Sequence, residues 1–132
     1  MMQKEVADRF AAQVGTKDYN ALSVITQYRA DVKMVMKVPK EVFVPKPNVD
    51  SAVIQFRLRP YSKQVVKQEE FFELVKGCFV QRRKTILNNL SVYLKDKDKA
   101  KEYLVKANID PARRAETCTL DTFIELYEVM SC

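Results

Sequence analysis

Gln81-Arg82-Arg83-Lys84-Thr85 sets three cations in five residues, the densest basic run in the chain. Two guanidiniums can each grip phosphate oxygens through paired hydrogen bonds, and an ammonium adds a point charge. The chemistry on offer is contact with a polyanion. Arg113-Arg114, just after Pro111, repeats it on a smaller scale. A charge run can equally be a solvated junction between helices, and that plainer reading stands beside the functional one. The second constellation is aromatic: Phe43 opens the stretch Phe43-Val44-Pro45-Lys46-Pro47-Asn48-Val49-Asp50-Ser51. Its prolines stiffen the backbone and would hold the ring on a fixed loop at a strand's edge. A lone Phe is usually a core residue, yet a ring so held is also what stacks on an extruded base.

Composition removes most other chemistry. The chain has no histidine, so the usual general base, the commonest metal ligand and the Ser-His or Cys-His nucleophile pair are all absent. Cys78, Cys118 and Cys132 are odd in number, far apart and without a Cys-x-x-Cys pair. This argues against a disulfide framework or a metal site and fits buried or incidental thiols in a reducing compartment. No run approaches the ~20 apolar residues that span a bilayer, and Lys4, Glu5, Asp8 and Arg9 fall where a signal peptide would be apolar. The expectation is a soluble, cytoplasmic protein with no membrane partner.

At 132 residues and 47% hydrophobic the chain can build a core as one domain, or one domain with part of another. Its 23 Lys and Arg against 17 Asp and Glu give a net charge of +6, unevenly spread. Residues 1–62 hold ten basic and six acidic side chains, residues 63–114 thirteen and seven, and residues 115–132 none and four. A basic excess that peaks in the middle suggests a polyanionic partner, by attraction and without sequence information.

The elements that must position these residues are legible from period. Val6, Phe10, Ala11 and Val14 recur at helical spacing up to Gly15, and Leu22, Ile25 and Tyr28 predict a second helix over 21–29 capped by Asn20. Val32, Met34, Met36 and Val38 then alternate with lysines, which predicts a half-buried strand over 32–38. Pro39, Pro45 and Pro47 make the next stretch an extended surface loop, and residues 51–59 alternate again as a second strand ended by Pro60. From Gln68 the pattern is helical. Phe71, Leu74, Val75, Cys78 and Phe79 form one stripe and Ile86, Leu87, Leu90 and Leu94 another, with the basic run at the bend between them. A further helix from near Asp98 carries Tyr103, Leu104 and Val105. Asp110-Pro111 reads as the cap of a short turn, and Thr119 caps a last helix bearing Phe123, Ile124, Tyr127 and Met130.

Two strands alone make a marginal ribbon with both edges open. Residues 1–4 look like the end of a strand running into a helix, which places the start of the chain in mid-fold of an α/β protein.

Residues 3–9 (QKEVADR), 22–28 (LSVITQY), 43–53 (FVPKPNVDSAV), 81–90 (QRRKTILNNL) and 109–120 (IDPARRAETCTL) closely resemble the C-terminal half of bacterial ribosomal-RNA adenine N6,N6-dimethyltransferases of the KsgA type. The resemblance implies an α/β remnant, the last strands of a Rossmann-like methyltransferase sheet, over residues 1–62. A small all-α domain that docks on rRNA would follow over 63–132. It implies an enzyme that transfers methyl groups from S-adenosylmethionine to two adjacent adenines of small-subunit rRNA. Phe43 matches the aromatic that stacks on the target base, and Arg82, Arg83 and Lys84 match the family's basic rRNA-contact cluster, with Arg113 and Arg114 beside it. The family's cofactor-binding and catalytic motifs precede Met1, so no catalytic, cofactor-binding or metal residue is expected here, and the fragment alone is expected to be inactive. Thr122, three residues after the Thr119 cap, departs from the family's acidic residue there. The implied partners are small-subunit rRNA or the 30S subunit, with self-association through the open sheet as a further expectation. A non-catalytic RNA- or ribosome-binding module is the alternative, and a DNA-binding helix-turn-helix unit is disfavoured because no base-reading helix stands out.

Overall fold

A computed structural model describes residues 1–131; Cys132 lies outside the described residues. In chain order the elements are β1 (Met2–Gln3), α1 (Lys4–Phe10), α2 (Ala21–Arg29), β2 (Ala30–Val38), β3 (Ser51–Leu58), α3 (Gln68–Cys78), α4 (Ile86–Leu94), α5 (Lys97–Lys106) and α6 (Leu120–Ser131). Single 3-10 turns occupy Lys40–Val42 and Ala115–Thr117.

The short β1 is the strand end expected at residues 1–4. It pairs with β3, which also pairs with β2, both antiparallel, in the order β1-β3-β2. Strands β1 and β2 therefore run the same way on either side of β3, and α1 and α2 form the crossover that parallel strands require.

Helix α1 packs on part of β3, while Phe56 and Leu58 stay 41% and 77% exposed, so the strand's cover among the described residues is partial. Ala7 of α1 and Ala52 of β3 are fully buried, and the Phe10 and Phe56 rings meet edge to face with centroids 5.2 Å apart. Helix α1 also stops at Phe10, short of the sequence expectation, and Val14 is exposed beyond it. The strand period fails at one point. Met34 pairs with Ile54 but Met36 with Val53, so Val35 is an extra residue in a bulge. A bulge turns the following side chains to the other face, and Met36 is 55% exposed rather than aligned with Met34.

Helix α2 begins as expected. The Asn20 carboxamide accepts from Ser23 N at 3.3 Å and the Ser23 hydroxyl accepts from Asn20 N at 3.2 Å, which satisfies donors the helix leaves free. At its other end Arg59 donates to Gln27 O (2.8 Å), Tyr28 O (3.1 Å) and Asp31 Oδ1 (3.0 Å), tying the last turn of α2 to the exit of β3. Helix α5 starts one residue earlier than expected, capped by Asp96, and buries Ala100 and Leu104 while Val105 is 58% exposed. Thr119 caps α6 by accepting from Thr122 N at 3.2 Å, and the two hydroxyls meet at 2.9 Å where the family's acidic residue would reach back.

Most buried apolar side chains of the described residues form one hydrophobic cluster. Phe71, Leu74 and Val75 of α3, Ile86 and Leu90 of α4, Leu104 of α5 and Phe123, Ile124 and Leu126 of α6 meet at its centre. Ala12, Tyr19, Val24 and Tyr28 join it from the N-terminal segment. Tyr28 packs 5.4 Å from Phe71, and its hydroxyl accepts from Val65 N at 3.1 Å. Tyr19 donates to Cys118 O at 2.9 Å. Each buried ring removes enough apolar surface from water to contribute about 2–3 kcal/mol. No helix among the described residues is long and apolar enough to cross a membrane.

Candidate nucleic-acid interface

The basic run forms the turn between α3 and α4, and a buried carboxamide shapes it. Asn89, 5% exposed on α4, accepts from Gln81 N at 3.0 Å and donates to Gln81 O at 2.9 Å and Thr85 O at 3.4 Å. Lys84 N closes the turn on Gln81 O at 3.0 Å. Thr85 then caps α4, its hydroxyl accepting from Asn88 N at 3.2 Å. The next free helix donors go to the 109–114 loop: Ile86 N to Arg113 O at 2.6 Å and Leu87 N to Pro111 O at 3.3 Å. These amides are taken internally, so an anion here would be met by side chains. Asp110 caps its own turn as the sequence suggested, accepting from Ala112 N at 2.9 Å.

The five predicted cations divide into two kinds. Arg82 turns inward, donating through Nε to Glu116 Oε2 at 2.8 Å and through NH2 to Thr16 O at 2.9 Å. Arg113 spans the neighbouring 3-10 turn, donating to Thr117 Oγ1 at 3.2 Å and to Thr117 O. Arg83, Lys84 and Arg114 are exposed, and none has a side-chain partner among the described residues. The bonds from Ile86 to Arg113 and from Arg82 to Glu116 and Thr16 draw three segments together: residues 15–18, 81–85 and 113–117. Gly15, at φ +85° with open space at its Cβ position, donates from N to Glu116 O at 2.8 Å and completes the junction. Lys17, the residue after Thr16, is exposed. Neither Thr16 nor Glu116 stands among the candidate site residues of the sequence, and no local pattern marks their contacts with Arg82. The available signal was the acidic charge of residues 115–132, which had to meet the basic middle somewhere.

Phe43 lies elsewhere. It follows the 3-10 turn at Lys40–Val42, is half-buried, and is absent from the hydrophobic core. Its loop is tied at the base, Lys40 N donating to Asp50 Oδ1 at 2.9 Å and Lys4 N to Asp50 O at 2.9 Å. Strand β2 runs from Ala30, at the end of α2, to Val38 before this loop, about 26 Å of strand at roughly 3.3 Å per residue. The structure does not bring the two constellations together.

A cleft of about 390 Å³ lies between the sheet and α6, with Gln27, Asp31, Arg59, Tyr61 and Asp121 in its lining. Its polar groups are engaged. Arg59 holds α2 and Asp31, the Tyr61 hydroxyl donates to Asp121 Oδ1 at 2.7 Å, and Gln27 Nε2 donates to Ala12 O at 2.9 Å. Burial pushes the Cys78 thiol up to about 12 and also raises Cys118, against the charge of Arg113, so both stay protonated and inert at neutral pH. Among the described residues no group of three or more Cys, Asp or Glu is placed to hold a metal ion. The chain's two glycines, Gly15 in a surface loop and Gly77 packed under Tyr93, do not line a turn between a strand and a helix.

The sequence profile described as ribosomal RNA adenine dimethylase matches residues 1–131, and the chain belongs to that family. Ribosomal RNA small subunit methyltransferase A of Bacillus cytotoxicus is 50% identical over 96% of this chain and 45% of its own length. The protein of the same name from Bacillus mycoides gives the same figures. The chain thus spans about half the length of the curated relatives it matches (45%). In fold it resembles a dimethyladenosine transferase from Plasmodium falciparum, with TM-score 0.74 and 24% identity over 94% of this chain and 53% of that one. It also resembles the 23S rRNA methyltransferase ErmE, with TM-score 0.64 and 22% identity over 98% of this chain and 52% of that one.

Proposed function

We propose that this chain is the rRNA-docking half of an adenine N6,N6-dimethyltransferase that modifies two adjacent adenines of small-subunit rRNA in the cytoplasm. Residues 1–62 contribute the last strands of the methyltransferase sheet, and residues 63–132 form the helical docking domain. A β3 antiparallel to two neighbours that run parallel to each other supports the first part. S-adenosylmethionine supplies the methyl group and is held by the portion of the enzyme outside this chain. Arg83, Lys84 and Arg114 meet phosphates, while Arg82 and Arg113 hold the turns that present them. Phe43 stacks on the adenine that has been swung out of its helix. The observation that carries this reading is the convergence of three segments on one exposed basic rim, in a chain of this family.

A basic rim and an aromatic ring on separate parts of the chain suit an RNA target, because phosphate contacts position the nucleic acid while another part of the protein meets the base. The test is made on the complete enzyme with S-adenosylmethionine and unmethylated small subunits, reading dimethyladenosine by mass spectrometry of the rRNA. Phe43→Ala is expected to lose roughly 1–3 kcal/mol of base binding, with Phe43→Tyr and Phe43→Trp tolerated. Absence of dimethyladenosine with the wild type, or equal loss in all three variants with a lowered melting temperature, would reject the reading.

A further inference from the structure

We propose that Lys17, outside the basic run, is a phosphate contact of the same interface, and that the Arg82–Glu116 pair acts as a clamp that sets it there. This rests on the docking function argued above and adds a residue from the N-terminal segment to a surface otherwise built by the helical part.

The geometry is specific. Arg82 spends Nε and NH2 on Glu116 Oε2 and Thr16 O, both within 2.9 Å, leaving it poorly placed to serve a phosphate. The Glu116 carboxylate is more enclosed than the guanidinium, 22% against 37% of side-chain surface exposed. The Glu116 backbone adds a second tie, accepting from Gly15 N at 2.8 Å. Two independent bonds thus fix the residues on the N-terminal side of Lys17 to the 115–117 turn, and the exposed Lys17 ammonium has no partner among the described residues. Asp18, half-buried, is the acidic residue next to it in sequence, and Glu116, tied to Gly15 N, is already paired with Arg82. A segment that would otherwise be a free loop is held at the edge of Arg83, Lys84 and Arg114, which gives a four-cation rim drawn from both parts of the chain.

The clamp makes a prediction opposite in sign to simple electrostatics. Glu116→Ala raises the net charge by one and frees Arg82. If Arg82 were itself a phosphate contact, RNA affinity would rise. With the clamp, Lys17 is released and affinity falls. The experiment measures binding of the chain to a small-subunit rRNA transcript across a salt series, well below each variant's melting temperature. Glu116→Ala is expected to weaken binding several-fold at 0.1 M salt. Arg82→Lys, which keeps the charge but cannot make both bonds, is expected to do the same. Lys17→Gln is expected to lower the slope of log affinity against log salt by about 0.7–0.9, one phosphate contact. Tighter or unchanged binding by Glu116→Ala, or an unchanged slope for Lys17→Gln, overturns the inference. The triple Arg83→Gln, Lys84→Gln, Arg114→Gln variant separates the two levels. Loss of slope there with no effect at Lys17 rejects only the present proposal, whereas an unchanged slope in the triple rejects the docking function and this inference together.

Discussion

Replacing Asn89 by Ala strips the basic turn of the carboxamide that shapes it, and the cost can be worked from the contacts. Asn89 makes two well-formed hydrogen bonds to Gln81, at 2.9 and 3.0 Å, and a longer one to Thr85 O at 3.4 Å. At about 1 kcal/mol for each good bond and little for the third, the loss is about 2 kcal/mol. The orphaned Gln81 backbone lies near the surface and can be rehydrated, which keeps the total below about 3 kcal/mol. For a domain of this length that lowers the melting temperature by about 8 °C. The assay is a thermal melt paired with urea unfolding, whose midpoint should drop at constant m. Amide exchange at Gln81 should quicken in the folded variant, because its N–H loses its only acceptor among the described residues. A variant within 0.5 kcal/mol of the wild type, or one that is destabilised while Gln81 stays protected, would refute the claim that Asn89 organises the turn.

Gly77→Ala places a Cβ 2.6 Å from Tyr93 Cδ1 and 2.9 Å from Tyr93 Cγ, so the ring must move; overpacking outweighs the gain in helix propensity and a net loss of about 1 kcal/mol is expected in urea unfolding. At alkaline pH the chain should lose stability. Cys78 keeps its proton in the folded state up to about 12 but releases it near 9 when unfolded, so its contribution is complete below pH 9 and declines as pH rises toward 12. Buried Tyr19, also raised, adds to the loss above pH 10. Cys78→Ala should flatten the fall in melting temperature between pH 9 and 11. An identical pH profile in that variant would contradict the assignment.

The sequence made the helices legible because each buries one stripe. Phe71, Leu74, Val75 and Cys78 sit at 3.6-residue spacing and all are buried, and the Asn20 and Thr119 caps have the side-chain oxygens that caps require. It could not show the bulge at Val35, since Val32-Lys33-Met34-Val35-Met36 alternates just as well through a regular strand. Nor could it show that α1 packs on part of β3, a contact between residues more than forty positions apart in the chain. The candidate site was legible as charge and not as geometry. Arg82 and Arg83 look alike in a run, but one faces Glu116, 34 residues away, and the other faces water. A pairing at that separation is decided by how the turns after α3 and α5 pack, and a local pattern carries no sign of it. The orientation of each cation decides which side chains can reach a polyanion.

The central claim is that an exposed rim built by converging turns docks RNA, and its most direct measurement is the salt dependence of binding to small-subunit rRNA for the wild type and the Arg83→Gln, Lys84→Gln, Arg114→Gln triple variant. Each phosphate contact contributes about 0.7–0.9 to the slope of log affinity against log salt, so the triple variant should lose about two to three units with its melting temperature unchanged. A slope equal to the wild type's would assign these cations to a solvated face and contradict the account.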